Sequence, residues 1–429
     1  MLKKLILENW KSFRYAELPI DPLTVLIGTN ASGKSNAIEA LEFLNRISYG
    51  GDIQDALLGN ADFSPIRGGA DGVALKNQSD FTLSILTQGE DEYTDYLYSI
   101  TISTKPEVRL LAESLTKIKQ GTDPKETPKS INIFISERNV TTHNLSDLSI
   151  YVKFNNDEFK SNNGSNSPNL NFGSDGSSSF LDLLHWVINS AKEKAGIEEF
   201  FQTLLDIFIL DPVPSKMRSY SRFSKELTRD AANIAGVLAA LPEEKKRLIE
   251  STLSSYATHL PERDIQRVWA EPVGRLGSDA MLYCEESWVP GQAPIVVDAT
   301  SMSDGTLRFL AIVTALLTRP EGSQLVIEEV DNGLHPSRAE LLLKMLRELG
   351  EKRKIDVLVT THNPALLNAL GLKMVPFVVV AHRDVQTGES KLTPLDDVQH
   401  LPKLLASGSV GDLATQGTLE KVLSHSDEA

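Results

Sequence analysis

The chain carries one cysteine, Cys284, in 429 residues, so no internal disulfide can staple it. A reducing compartment, the cytoplasm, fits that scarcity. Cys284 lies in Leu282-Tyr283-Cys284, a strand-like apolar setting that reads as packing rather than as a nucleophile. Long apolar runs are also missing: none approaches the ~18 residues of a membrane span. The opening stretch, Met1-Leu2-Lys3-Lys4-Leu5-Ile6-Leu7-Glu8-Asn9, lacks both a sustained apolar core and a small-residue cleavage site, so no signal peptide is expected. Positive charge is short, with 43 Lys and Arg against 58 Asp and Glu and a net charge of −15. A field of that sign argues against coating nucleic acid and leaves room only for a local basic groove. There is no heptad run and no internal repeat. The hydrophobic share, 41%, is ordinary for a globular chain with a sizeable core.

What is present begins at residue 28. Gly28-Thr29-Asn30-Ala31-Ser32-Gly33-Lys34-Ser35 is a complete phosphate-binding loop. An apolar β-type run, Leu23–Ile27, precedes it, and a helically spaced run from Asn36 follows it. Strand, loop and helix are the context the motif needs, because glycines let backbone N–H groups curl around phosphate oxygens. Gly28, Asn30, Ser32, Gly33, Lys34, Ser35 and Asn36 are the expected contacts to a nucleoside triphosphate. Lys34 would reach the β- and γ-phosphates, and Ser35 would hold Mg²⁺.

Three further segments carry chemistry. Gln324–Ile327 is an apolar strand ending in two carboxylates, Glu328 and Glu329. Adjacent strand residues point to opposite sides, so one acid can support the metal shell and the other can polarise water. Glu328 is then the metal-side acid and Glu329 the general base, against the plainer reading of solvated acids at a strand end. Val357–Thr361 is a second buried-type strand, ending at His362, which could face the γ-phosphate or serve as a structural hydrogen-bonder. Ser303-Asp304-Gly305 opens an apolar helix, as a helix cap or as an anion site.

The order of these motifs resembles that of the ABC-type ATPases, on the RecF/SMC side rather than the transporter side. Asn9-Trp10-Lys11-Ser12-Phe13 resembles the N-F-[KR]-S-F opening of that branch, and GTNASGKSN its phosphate loop. MSDGTLR resembles its signature, IEEVDNGLHPSR its paired acids, and TTHNPALL its switch histidine. Pro214–Arg218 and Asp230–Ala235 are similar to a compact branch of predicted ATPases near OLD-family heads and anti-phage ATPase subunits. The resemblance implies an α/β, two-lobed ABC-type head with a mixed sheet around the phosphate-loop helix and a helical insertion. It implies two heads sandwiching two ATP molecules, with Ser303, Asp304 and Gly305 of one chain acting in trans on the ATP held by Lys34 of the other. Glu329 and His362 would be catalytic, and Asn332 to His335 would cross between the two sites. The implied role is a homodimeric ATPase switch in a DNA-maintenance or anti-phage complex with a separate effector or nuclease subunit. A stand-alone RecF-type DNA clamp is the alternative, and a transporter motor is disfavoured. Glu328 stands where transporters have Asp, and Val330 where Pro is usual. Gln54 and Gln78 lie in the region of a Q-loop without its context. Too few residues follow His362 for the Toprim nuclease of OLD-type proteins.

The expected division is an N-terminal ATPase lobe at 1–160, a linker with helical insertion at 161–265, and a C-terminal ATPase lobe at 266–429. Two strands are expected at 2–8 and 18–27. Alternation predicts strands within 80–118, and polar composition predicts loops at 120–130 and 161–179. A helical period runs from Phe180 to about Leu260, β-like runs lie near 282, 294 and 325, two last strands bracket Pro376, and a polar tail follows. Within the helical region Arg218, Arg222, Lys225 and Arg229 recur at spacings of four, three and four, which would place them on one helix face. Such a face could contact DNA or RNA phosphates or an acidic partner, or simply be solvated, the commoner outcome.

Overall fold

The computed structural model describes residues 1–49, 52–61, 64–121, 128–138, 150–154, 194–259, 265–287 and 293–425. Two units interleave in sequence: Met1–Ile20, Thr29–Ile207 and Ala381–Thr393 form the first, and Asp21–Gly28, Phe208–Val380 and Pro394–Ala429 the second.

In the first unit β1 (Leu2–Trp10) turns back as β2 (Phe13–Pro19). The expected pair of strands at 2–8 and 18–27 is therefore three strands, since β3 (Leu23–Ile27) is separate. Asn9 and Lys11 both take a left-handed φ of 52°, which tightens the chain on either side of Trp10 and lets Trp10 pair with Phe13. β1 also pairs with β4 (Asp80–Gln88), and β5 (Thr94–Ser103), β6 (Arg109–Lys119), β7 (Lys129–Arg138) and β8 (Ile150–Phe154) follow. The result is a seven-stranded antiparallel sheet in the order β2-β1-β4-β5-β6-β7-β8. Strands β4 to β6 fall where alternation places them: Tyr96, Tyr98, Ile100 and Ile102 are buried on one face of β5, with half-buried residues between them.

Helix α1 (Lys34–Ser48) packs on β1 through Trp10, whose ring lies 6.1 Å from Phe43 and 4.9 Å from Phe81. The short α2 (Ile53–Leu58) and α3 (Gly69–Val73) follow, and α4 (Lys194–Leu205) packs beside α1 and β4. The Phe200 ring of α4 lies 5.7 Å from that of Tyr98, tilted by 45°. The Tyr98 hydroxyl donates to Glu113 at 2.7 Å, and burial pushes that carboxyl up to about 8.

The second unit is built on parallel strands. β3, β14 (Gln324–Ile327), β15 (Asp356–Thr361) and β16 (Val378–Arg383) lie in the order β16-β3-β15-β14, with β9 (Ile207–Leu210) beyond β14. β16 leaves the second unit after Val380, and β17 (Ser390–Pro394) is its other neighbour. Every residue of β3, β14 and β15 is buried, as continuous apolar runs covered on both faces should be. A smaller antiparallel sheet orders β10 (Ser221–Arg222), β12 (Asp279–Glu286) and β11 (Ile265–Val273), with β13 (Ile295–Asp298) also on β12. Cys284 is buried in β12, where burial and Glu286 push its thiol up to about 12, in keeping with a packing role.

The expected helical stretch is broken. Its residues 180–193, like the expected loop 161–179, lie outside the described residues. α4, α6 (Ile234–Ala240) and α7 (Glu243–Thr258) are helical, while β9 and, apart from one turn at Pro214–Met217, the segment 211–233 are not. There the backbone bonds to itself, Asp211 N–H to Arg229 C=O at 2.8 Å and Val213 N–H to Asp230 C=O at 2.9 Å, and Pro212 and Pro214 remove donors a helix would need. The four basic residues therefore share no helix face. Arg218 ends the one-turn α5 (Pro214–Met217), Arg222 is in β10 opposite Asp279, and Lys225 and Arg229 are in loops. Runs near 282, 294 and 325 are β12, β13 and β14, whereas β11, with Arg267, Glu271 and Pro272 among its residues, gave no apolar signal.

Two further corrections concern the C-terminal region. Pro376 lies inside a 3₁₀ turn (Leu372–Phe377), and both last strands follow it. The supposed polar tail folds into three short helices around buried Leu401, Val410, Leu413, Leu419 and Leu423. Of the expected loop 120–130, the stretch 122–127 is outside the described residues and Lys129 already begins β7.

Candidate nucleotide site

Three parallel strands of the second unit end together. Ile27 of β3 stands opposite Thr361 of β15, and Ile327 of β14 opposite Val359. Gly28, the acids Glu328 and Glu329, and His362 thus lie just past the carboxyl ends of neighbouring strands, the edge where open parallel sheets hold their ligands. Glu329 adopts a left-handed φ of 45°, a conformation that costs an ordinary residue roughly 1–2 kcal/mol. Its backbone N–H donates to Thr360 Oγ1 at 2.8 Å, and its carbonyl accepts from Asn332 N–H at 2.8 Å. Its carboxylate accepts from Asn332 Nδ2 at 3.3 Å and lies 3.9 Å from His362 Nδ1. The neighbouring Asp331 is buried, accepting from Thr361 Oγ1 at 2.6 Å, so the loop is fixed from both sides. Glu328 faces Arg229 at 3.5 Å.

Helix α8 (Asp304–Thr318) begins in the same unit. Ser303 caps it, its Oγ accepting from Thr306 N–H at 3.0 Å. Gly305 admits no side chain, because a Cβ there would lie 2.5 Å from the Gly333 carbonyl and 3.1 Å from an Arg338 nitrogen. The start of α8 is therefore packed against the loop that follows the paired acids. Leu307, Phe309, Leu310, Ile312, Val313 and Leu316 bury the helix body against α7 and α9 (Ala339–Arg353). Arg218 donates to Asp304 Oδ1 at 2.6 Å and to the Met302 carbonyl at 2.8 Å, bracketing Ser303.

The loop Thr29–Gly33 and the start of α1 are in the first unit. Gly33 takes φ 116°, and a Cβ on it would lie 2.8 Å from both the Phe13 ring and Ser390 Oγ. Ser32 Oγ is buried and has no hydrogen-bond partner among the described residues. An orphaned buried hydroxyl in a glycine-cradled loop suits a ligand rich in acceptor oxygens, so these residues fit a phosphate chain. Lys34 Nζ donates to the Thr29 carbonyl at 2.9 Å, and Arg383 Nε to the Ala31 carbonyl at 2.8 Å. Asn36 Nδ2 donates to Ser12 Oγ at 2.8 Å, and Ser390 Oγ to Ser12 Oγ at 2.8 Å. Trp10 Nε1 donates to the Asn36 carbonyl at 2.7 Å. Lys11 bonds Glu39 of α1 and, at 2.9 Å, the Arg67 carbonyl. Burial pushes the Lys11 ammonium below its ordinary value against the pull of Glu39. Asn30 and Ala31 are exposed, and Ser35 is half-buried at the first turn of α1.

Ser390 and Arg383 escaped the sequence reading, and Ser12, Asn332 and Thr360 entered it only as parts of motifs, without the bonds through which they act. Of the four basic residues, Arg218 and Arg229 reach acids of the site, while Arg222 and Lys225 are exposed. Among the described residues no cluster of three or more His, Cys, Asp or Glu could hold a metal ion.

Two family models match the chain. One, described as "AAA ATPase domain", matches residues 1–178, and one described as "AAA domain, putative AbiEii toxin, Type IV TA system" matches residues 287–368. No curated protein sequence matches. Among solved structures the chain is similar to an SMC head bound to the C-winged helix domain of ScpA, with TM-score 0.50, 13% identity, and coverage of 91% of this chain and 96% of that one. It also matches the SMC head domain from Thermotoga maritima (TM-score 0.37, 15% identity, 92% and 98% covered). A third match is an Smc head with an extended coiled coil bound to the C-terminal domain of ScpA, derived from Pyrococcus furiosus (TM-score 0.45, 12% identity, 94% and 99% covered). The fold is that of an ABC-type P-loop ATPase head like the SMC head, and two stretches of the chain are similar to AAA-type ATPase domains.

Proposed function

We propose that the chain binds and hydrolyses ATP, and that ATP-dependent pairing of two copies is its switch. The observation that carries this reading is Glu329, held in a left-handed conformation by Thr360 and Asn332, 3.9 Å from His362. Strain of that kind persists where surrounding bonds over-determine it, and it aims a carboxylate at a fixed point beyond the strand ends. Glu329 would take a proton from the attacking water as its oxygen bonds to the γ-phosphorus and the bond to the ADP oxygen breaks, giving ADP and phosphate. His362 would orient that water. The N–H groups of the loop, with Lys34, Ser32 and Asn36, would hold the triphosphate, and Asn30 would lie over it. Ser35 and Glu328 would hold Mg²⁺, which when bound offsets phosphate charge. Ser303 and Gly305 would meet the γ-phosphate bound to a second copy, so each site would be complete only in the pair.

The biological setting we infer is a DNA-maintenance or anti-phage defence complex in the cytoplasm, with a separate effector protein receiving the closing motion. The toxin–antitoxin wording of the second family model suits a defence setting. A RecF-type DNA clamp with little turnover is a second reading, favoured by the Arg229–Glu328 pair, which would have to yield before a cation could bind.

The test compares ATP hydrolysis and molar mass by light scattering, with and without Mg·ATP, for the parent and Glu329→Gln. The variant is expected to form an ATP-dependent dimer and to lose hydrolysis. A variant that stays monomeric with ATP and hydrolyses at the parent rate would sink the assignment.

A further inference from the structure

The segment 211–233 places a guanidinium against each of two site acids, Arg218 against Asp304 and Arg229 against Glu328. The segment is anchored for this. Its backbone is tied by the Asp211–Arg229 and Val213–Asp230 bonds, and Lys216 pairs with Asp230 at 3.0 Å. At the far end of α8, Arg319 faces Glu226 of the same segment at 3.7 Å.

Asp304 poses an electrostatic problem if the start of α8 is to meet phosphate. A carboxylate in the first turn helps the helix by interacting with its positive end, yet it repels an incoming anion at the same place. The Asp304 side chain is 64% exposed, so little protein lies over it, while Arg218 is only 28% exposed and is positioned by its second bond to the Met302 carbonyl. One guanidinium therefore grips the residues on both sides of Ser303 and neutralises the acid beside it. An arginine can do both because its planar fork presents several donors and it stays charged at any working pH.

We propose that Arg218 is a positioning residue for ATP-dependent pairing: it cancels the charge of Asp304 and fixes the Ser303 turn, so that this turn can accept the triphosphate carried by a second copy. The inference rests on the reading of Ser303 as trans-acting. Arg218 acts through Asp304 and Ser303, so the chain's own phosphate loop should be indifferent to it.

The experiment uses the full chain with Glu329→Gln as parent, measuring self-association with Mg·ATP by sedimentation and monomer affinity with a fluorescent ATP analogue. Adding Arg218→Ala should weaken association at least tenfold while the analogue's affinity stays within twofold. Adding Asp304→Asn to that variant should restore most of the loss, because the repulsion is gone, and Arg218→Lys should fall between. Thermal melts establish that each variant is folded, and Arg218→Lys stands in if the alanine variant is not. Association at parent strength without Arg218, or no recovery with Asp304→Asn, overturns the proposal. A parent that does not associate with ATP overturns the trans reading beneath it, and this proposal with it.

Discussion

The indole of Trp10 donates to the backbone carbonyl of Asn36, 2.7 Å away, and so ties the first strand to the first turn of the phosphate-loop helix. The ring itself is fully buried between Phe43 and Phe81. Trp10→Phe keeps most of the burial and removes the donor. It is expected to cost about 1–3 kcal/mol in urea denaturation and to weaken ATP binding as the first turn of α1 loosens. Unchanged urea midpoint and ATP affinity would show the bond to be incidental.

Gly33 needs its missing side chain twice over, for φ 116° and for the Phe13 ring and Ser390 hydroxyl 2.8 Å from where a Cβ would sit. Gly33→Ala should abolish nucleotide binding in calorimetry and lower stability by roughly 1–3 kcal/mol. Retention of parent affinity would mean the loop can open without loss.

Thr360 holds the strained Glu329 by its hydroxyl. Thr360→Val preserves shape and deletes the acceptor, leaving Glu329 N–H to relax. ATP turnover should fall about 10–100-fold with ATP affinity within twofold, the pattern of a support that acts on geometry rather than on binding. A matched fall in affinity would point instead to general disruption of the strand ends.

Glu113 makes stability depend on pH. Its carboxyl titrates near 8 when folded against 4.5 as its ordinary value, so across that window the folded chain keeps a proton the unfolded chain has lost. Stability contributed by the protonated form is present at low pH and is lost as pH rises toward the folded value. Glu113→Gln keeps an acceptor for Tyr98 without an ionisable group. It should flatten the slope between pH 5 and 8 and exceed the parent by about 1–3 kcal/mol at pH 8. Parallel pH slopes for the two proteins would remove Glu113 as the cause.

The glycine-rich loop between β3 and α1, the acids at the end of β14 and the strand before His362 were legible as local structure because each is a short local pattern: a glycine cradle, or an apolar run stopped by a polar corner. The antiparallel strands β4 to β6 were legible for the same reason, through period-two burial. Arg218 to Arg229 misled because helical spacing is only a possibility until backbone partners are counted. Ser221 and Arg222 pair with Ala280 and Asp279, and no window around residue 220 contains those partners. The left-handed Glu329 was invisible for a related reason, since glutamate does not advertise that conformation and Thr360 imposes it from the next strand. Ser12 and Ser390, 378 residues apart, meet beneath the phosphate loop by the same long-range logic.

The lone thiol of Cys284, buried in β12 and held far from its reactive form, has a practical consequence. A maleimide probe would ignore it in the native protein, so a cysteine introduced at an exposed position such as Lys225 would be the single labelled point. Distances between two such points would then test whether two copies meet when Mg·ATP is added, without first rebuilding the chain to remove a native target.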